Sequence, residues 1–103
     1  MVWAGQAMDA HKKYTSANRA AWDASAPLHE AGETWQRLLA EVAKADFSTF
    51  DETLRETLED VGVVGKRVVQ VCCNNGREVL SLSAMGAKTV LGIDQSAAFL
   101  AQA

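Results

Sequence analysis

At 103 residues the chain has room for one small domain, and its make-up, 49% hydrophobic and 22% charged with one proline, is that of a globular protein. That balance excludes a disordered tail or a fibre. A net charge of −3 with a pI near 5.3 supplies no basic field, so nucleic acid is not favoured as a partner, and Lys12 with Lys13 makes no patch.

The N-terminus lacks the basic start and continuous apolar run of a secretory signal. No stretch approaches the roughly 20 apolar residues of a membrane-spanning helix. The expectation is a cytoplasmic protein with no membrane partner, whose adjacent Cys72 and Cys73 are reduced thiols, neither a disulfide nor half of a zinc site.

There is no internal repeat, and the chain divides in pattern into a helical segment, 1–61, and a strand-bearing segment, 62–103. Asn18 is placed to cap a short helix through Ala20, Ala21 and Trp22, and Pro27 argues against a continuous helix across residue 26. Trp35, Leu38, Leu39 and Val42 then fall on one face of a helix, which makes Trp35 a core residue. Thr49 and Glu52 have capping-box spacing ahead of a helix with Leu54, Leu58 and Val61 in a stripe, and Gly62 ends it.

From Arg67 to Val71 and again from Thr89 to Ile93 the residues are β-branched and apolar, the pattern of strands buried on both faces. Between them Val79, Leu80, Leu82, Ala84 and Met85 read as a helix too apolar for the surface, stopped by Gly86, so the segment is expected to be a βαβ unit. A hairpin competes for the same stretch: Asn75-Gly76 is a turn signal, Glu78 to Ser83 partly alternates, and Val69 would then pair with Leu80.

In the βαβ reading, Cys72-Cys73-Asn74-Asn75-Gly76 is the loop at the carboxyl end of the first strand. Ligands of open α/β sheets gather there, because the following helix offers unpaired N–H groups. Gly76 and the asparagines tolerate the left-handed backbone that a sharp bend requires. Asp94, at the tip of the second strand, is placed to accept hydrogen bonds from ribose hydroxyls. Bland alternatives stand beside these: an ordinary turn at Gly76, and a helix cap at Asp94.

Residues 68–78, Val-Val-Gln-Val-Cys-Cys-Asn-Asn-Gly-Arg-Glu, and 86–96, Gly-Ala-Lys-Thr-Val-Leu-Gly-Ile-Asp-Gln-Ser, resemble motif I and the following acidic motif of class I S-adenosylmethionine-dependent methyltransferases. The likeness is greatest to a bacterial subgroup in which Cys-Cys-Asn-Asn-Gly-Arg-Glu replaces the glycine-rich form. Asn-Arg-Ala-Ala-Trp-Asp at 18–23 and Ala-Pro-Leu-His at 26–29 resemble the N-terminal segment of that group. The resemblance implies an α/β fold: N-terminal helices, a cap over 1–61, followed by the first βαβ unit of a Rossmann-like methyltransferase domain that is truncated and incomplete.

It further implies S-adenosylmethionine as cofactor, with Val71, Cys72, Cys73, Asn74, Asn75 and Gly76 along its methionine and ribose part. Asp94 would lie on the ribose hydroxyls, Gln95 and Ser96 beside the adenine, and Tyr14, Trp22 and His29 would act as a lid. Gln70 stands where the usual motif has an acid, and Cys72 and Asn74 stand where it has glycines. No catalytic residue is assigned: a sulfonium methyl is already activated, so the protein chiefly aligns the acceptor and excludes water.

The thiols read as packing residues, His11 and His29 as lone histidines, and Trp3 and Trp22 as candidates to stack on a ligand. Three functions are compatible with these residues: methyl transfer to a small-molecule acceptor, a non-catalytic remnant or interaction module, and nicotinamide-dinucleotide binding. The last is disfavoured because only Gly76 remains of the three glycines that fingerprint needs. Because two strands leave edges uncovered, self-association is expected, and the 103-residue chain alone is expected not to transfer methyl groups.

Overall fold

The computed structural model describes residues 4–103 and is mixed α/β, with five helices and a two-stranded parallel sheet among those residues. Trp3 lies outside the described residues. In chain order the elements are α1 (Ala4–Glu30), α2 (Glu33–Val42), α3 (Glu52–Val61), β1 (Arg67–Val71), α4 (Arg77–Ala84), β2 (Thr89–Ile93) and α5 (Ala97–Leu100). Among the described residues no helix is long and apolar enough to cross a membrane.

α1 corrects two expectations. Asn18 is not a cap but lies inside the helix, and Pro27 does not interrupt it. Proline here lacks the N–H that would donate to the Asp23 carbonyl, and its ring crowds that carbonyl, so the turn is locally disfavoured. Ala31 N–H still donates to the Pro27 carbonyl at 3.1 Å. Tertiary packing holds the turn that local preference disfavours: Ala26 is only 1% exposed, and its carbonyl accepts a 2.8 Å hydrogen bond from Gln102 Nε2.

α2 forms where the apolar stripe placed it, but it buries no residue, and Trp35 is half-buried rather than core. α3 starts two residues later than the capping box from Thr49 would place it. Asp51 is the N-cap, its carboxylate accepting from Leu54 N–H at 2.8 Å, and Gly62 closes the helix at φ 86°. Thr49 is instead drawn to α4: its N–H donates to Ser81 Oγ at 2.9 Å, and its hydroxyl lies 3.2 Å from the same atom. A buried serine hydroxyl that also donates to the Arg77 carbonyl is a stronger claimant than a solvent-exposed helix end.

The hairpin alternative is overturned. β1 and β2 are parallel, Val69 pairs with Leu91, and residues 77–84 between them are helical. Gly86, at φ 97°, terminates the crossover. The strands are not buried on both faces, however. Helices cover one face only, and Val69, Val71, Leu91 and Ile93 on the other are each 47–69% exposed. α4 likewise buries just Ser81 and Leu82 and leaves Leu80 exposed.

The core is correspondingly small: Ala26, Phe47, Val63, Cys73, Leu82 and Phe99 are the buried apolar residues among those described. α1 joins the βαβ unit through α5. Trp22 and His29, two turns apart, approach the fully buried Phe99 ring edge-on at centroid distances of 6.0 and 5.3 Å.

Candidate functional site

The bend after β1 is built from unusual backbone. Cys72 at φ 60°, Asn74 at φ 53° and Gly76 at φ 80° all lie in the left-handed region. Glycine occupies it freely and asparagine tolerates it, whereas a cysteine there costs about 1–2 kcal/mol. The chain recovers that cost through hydrogen bonds. Cys73 N–H donates to the Ile93 carbonyl at 3.1 Å, Asn75 N–H to Asn74 Oδ1 at 2.8 Å, and Gly76 N–H to the Cys73 carbonyl at 2.9 Å.

The fourth amide reaches Asp94. Asn74 N–H donates to Asp94 Oδ2 at 2.8 Å, and Ser96 N–H donates to Asp94 Oδ1 at 2.8 Å. Asp94 therefore faces the bend and is fixed between two backbone donors, with one lone-pair direction left on each oxygen. It is not a helix cap: that role for α5 belongs to Ser96, whose hydroxyl accepts from Phe99 N–H at 3.2 Å. The bend's own amides at 73–76 are all engaged. The open donors are the first-turn amides of α4, since the first intrahelical bond runs from Leu80 N–H to the Gly76 carbonyl.

Beside Asp94 lies a cleft of about 260 Å³ lined by Asn18, Trp22, Cys72, Asn74, Asp94 and Gln95. The structure thus gathers five of the sequence-selected residues, Trp22, Cys72, Asn74, Asp94 and Gln95, around one opening. Tyr14 is not in the lining, but it precedes Asn18 and Trp22 at helical spacing on α1 and is 71% exposed. Val71, 69% exposed, lies on the outer face of the sheet with Val69, Leu91 and Ile93.

Other selected residues are placed elsewhere. Cys73 is 2% exposed and packs against Gly92 on β2: a Cβ built on that glycine would lie 2.8 Å from Cys73 Sγ. Burial, reinforced by the charge of Asp94, raises the Cys73 thiol above its ordinary pKa, so it stays protonated at neutral pH. The Ser96 side chain is also not a cleft wall: it is fully buried, its hydroxyl donating to Asp23 Oδ1. His29 also approaches Phe99 but lines a different hollow, as does Asn75. Gln70 is absent from the cleft lining, and its Oε1 is buried without a partner.

That second hollow, about 390 Å³, lies between α2, the segment leading to α3 and the start of α4. Trp35, Leu38 and Phe47 form its apolar surface, with Arg37 and Arg77 among its charged groups. Asn74 and Asn75 are consecutive, yet one lines the cleft and the other this hollow, so the bend is a partition between them.

Sequence reasoning missed three participants. Asn18 was assigned to a cap although its spacing from Tyr14 and Trp22 places it on their helix face. Asp23 accepts from the Ser96 hydroxyl and from Ala98 N–H at 3.2 Å, and these donors hold its carboxyl below the usual range. Gly92 is the notch that receives Cys73; its one legible signal was an isolated glycine inside a strand pattern. Among the described residues no group of three or more His, Cys, Asp or Glu side chains is arranged to hold a metal ion. Comparison with family models, with curated proteins and with solved structures finds no match to this chain.

Proposed function

We propose that the β1–α4–β2 unit binds the nucleoside of S-adenosylmethionine, and that the chain is the cofactor-binding start of a Rossmann-like methyltransferase acting on a small-molecule acceptor. The observation that supports this reading most is Asp94: a carboxylate fixed by Asn74 N–H and Ser96 N–H at the wall of a cleft that Trp22 also lines. Each oxygen keeps one acceptor direction for a ribose hydroxyl, and two backbone donors hold it in place before any ligand arrives.

The residues suit the group in other respects. Trp22 gives the adenine a ring to stack on, Gln95 a polar edge, and Asp94 a negative charge for a cationic ligand. At about 260 Å³ the cleft falls just below the ~300–1,000 Å³ usual for ligand sites, which suits the nucleoside rather than the whole cofactor. Tyr14 and Trp22 on α1 would screen the bound ligand from water. When bound, S-adenosylmethionine supplies a methyl group already activated by its sulfonium.

A non-catalytic interaction module is the second reading, favoured by the exposed apolar face of Val69, Val71, Leu91 and Ile93. Calorimetric titration with S-adenosylmethionine, S-adenosylhomocysteine and adenosine separates the two. Binding of all three is expected, weakened about 10- to 100-fold in Asp94→Ala for loss of charge-assisted hydrogen bonds, with circular dichroism reporting that the variant is folded. Absence of heat with every ligand at millimolar concentration would leave the interaction module as the reading.

A further inference from the structure

We infer that the hollow between α2 and the start of α4 is a second ligand site, one that binds a small carboxylic acid with a flat apolar body. Its volume of about 390 Å³ lies within the range of small-molecule sites, and Asp94 is not among the residues that line it. Trp35, Leu38 and Phe47 supply the apolar surface, the kind that takes a ring or a branched chain.

The charged groups decide the head group. Lys44 donates to Glu41 at 2.7 Å, and its charge is favoured first by Glu41 and then by Asp46, so this cation is already engaged by the protein's own acids. Arg77 spends only its Nε on Glu78, at 2.8 Å, and its two terminal nitrogens make no hydrogen bond. Arg37 makes no salt bridge at all with a described residue, although Glu33 and Glu41 lie one turn away on either side along α2. Two guanidinium groups with unused donors therefore line a hollow whose wall also carries Trp35, Leu38 and Phe47.

A planar guanidinium fork matches a carboxylate in a bidentate pair, which an alcohol or an amine cannot reproduce. An anionic head and an apolar body in one small molecule use both parts of the lining. This site is independent of the nucleoside reading, with which it shares only the bend at Asn74 and Asn75.

The test uses the 103-residue chain with benzoate and phenylacetate as probes, and benzyl alcohol, benzylamine and acetate as controls, by calorimetry and amide chemical-shift mapping. Benzoate or phenylacetate is expected to bind at least about tenfold more tightly than every control and to shift the amides of residues 34–38 and 46–49. Arg37 is exposed, so Arg37→Gln should preserve the fold while weakening benzoate about tenfold, with Arg37→Lys intermediate and Asp94→Asn without effect. Equal binding of benzyl alcohol or benzylamine, indifference to Arg37→Gln, or shifts confined to residues near Asp94 would overturn the assignment.

Discussion

The β1–α4–β2 unit and the helices before it are held together by different means. Within the unit, a parallel ladder is extended by Gly65 N–H to the Gly86 carbonyl, Lys88 N–H to the Lys66 carbonyl and Cys73 N–H to the Ile93 carbonyl. The preceding part of the chain attaches through side chains: Asp23 on Ser96 and Ala98, Gln102 on the Ala26 carbonyl, Thr49 on Ser81, and the Trp22 and His29 rings on Phe99. A backbone ladder tolerates most changes of side chain, whereas an attachment made by individual side chains does not. Substitutions should therefore act globally in the first region only where they obstruct the backbone, and in the second wherever they remove a tether.

Gly92 is the place where the ladder can be obstructed, and it gives the largest expected effect. An added Cβ would meet Cys73 Sγ at 2.8 Å, Cys73 Cβ at 3.1 Å and Val79 Cγ2 at 3.1 Å, so both the bend and α4 would have to move. Overpacking of this kind costs about 1–3 kcal/mol, and Gly92→Ala should lower the melting temperature by about 4–8 °C per kcal/mol lost. Adding Cys73→Ala should recover part of the loss by deleting the sulfur, a coupling that a double-mutant cycle of thermal melts would measure. Additive losses would show that the thiol and the notch are unrelated.

The same contrast explains what was legible in the sequence. β1, α4, β2, the bend and the position of Asp94 each have a local signature: a β-branched run, a glycine stop, an Asn-Asn-Gly turn, an acid at a strand tip. The tethers have none. Asp23 and Ser96 are 73 residues apart, and Thr49 and Ser81 are 32 apart, so nothing near either partner announces the other. Pro27 misled for that reason: its local preference was real, and distant packing of Ala26 and Gln102 outweighed it. The one-sided burial of the strands was equally hidden, because a β-branched run reads the same whether one face or two are covered.

The α1–α5 tether is the next largest effect. Ser96→Ala removes both the cap of α5 and the hydroxyl that binds Asp23, at a cost of about 1–2 kcal/mol by chemical denaturation. Asp23 gives that tether a pH signature. Its carboxyl is held below the ordinary value, chiefly by the Ser96 hydroxyl and then by Ala98 N–H, so the ionised form is favoured in the folded state. The stabilisation is then complete above the unfolded carboxylate pKa, about 3.9, and is lost as pH falls through the lower folded value. The difference in stability between wild type and Asp23→Asn should persist from neutral pH down to about pH 4–5 and shrink below that. A difference independent of pH would mean that the carboxylate charge plays no part in joining α1 to α5.

The smallest effect should come from α3, which depends on neither a ladder nor a tether. It carries its own start, Asp51 accepting from Leu54 N–H, and its own stop at Gly62, and it buries no residue. Asp51→Ala should cost about 0.5–1 kcal/mol, the worth of an exposed N-cap, and that loss should stay local. Amide exchange would show it as faster exchange at residues 54–58 with unchanged protection along β1 and β2. Slowly exchanging strand amides that accelerate together with α3 would mean that the helix and the sheet open as one unit, and the division between ladder and tether would have to be drawn elsewhere in the chain.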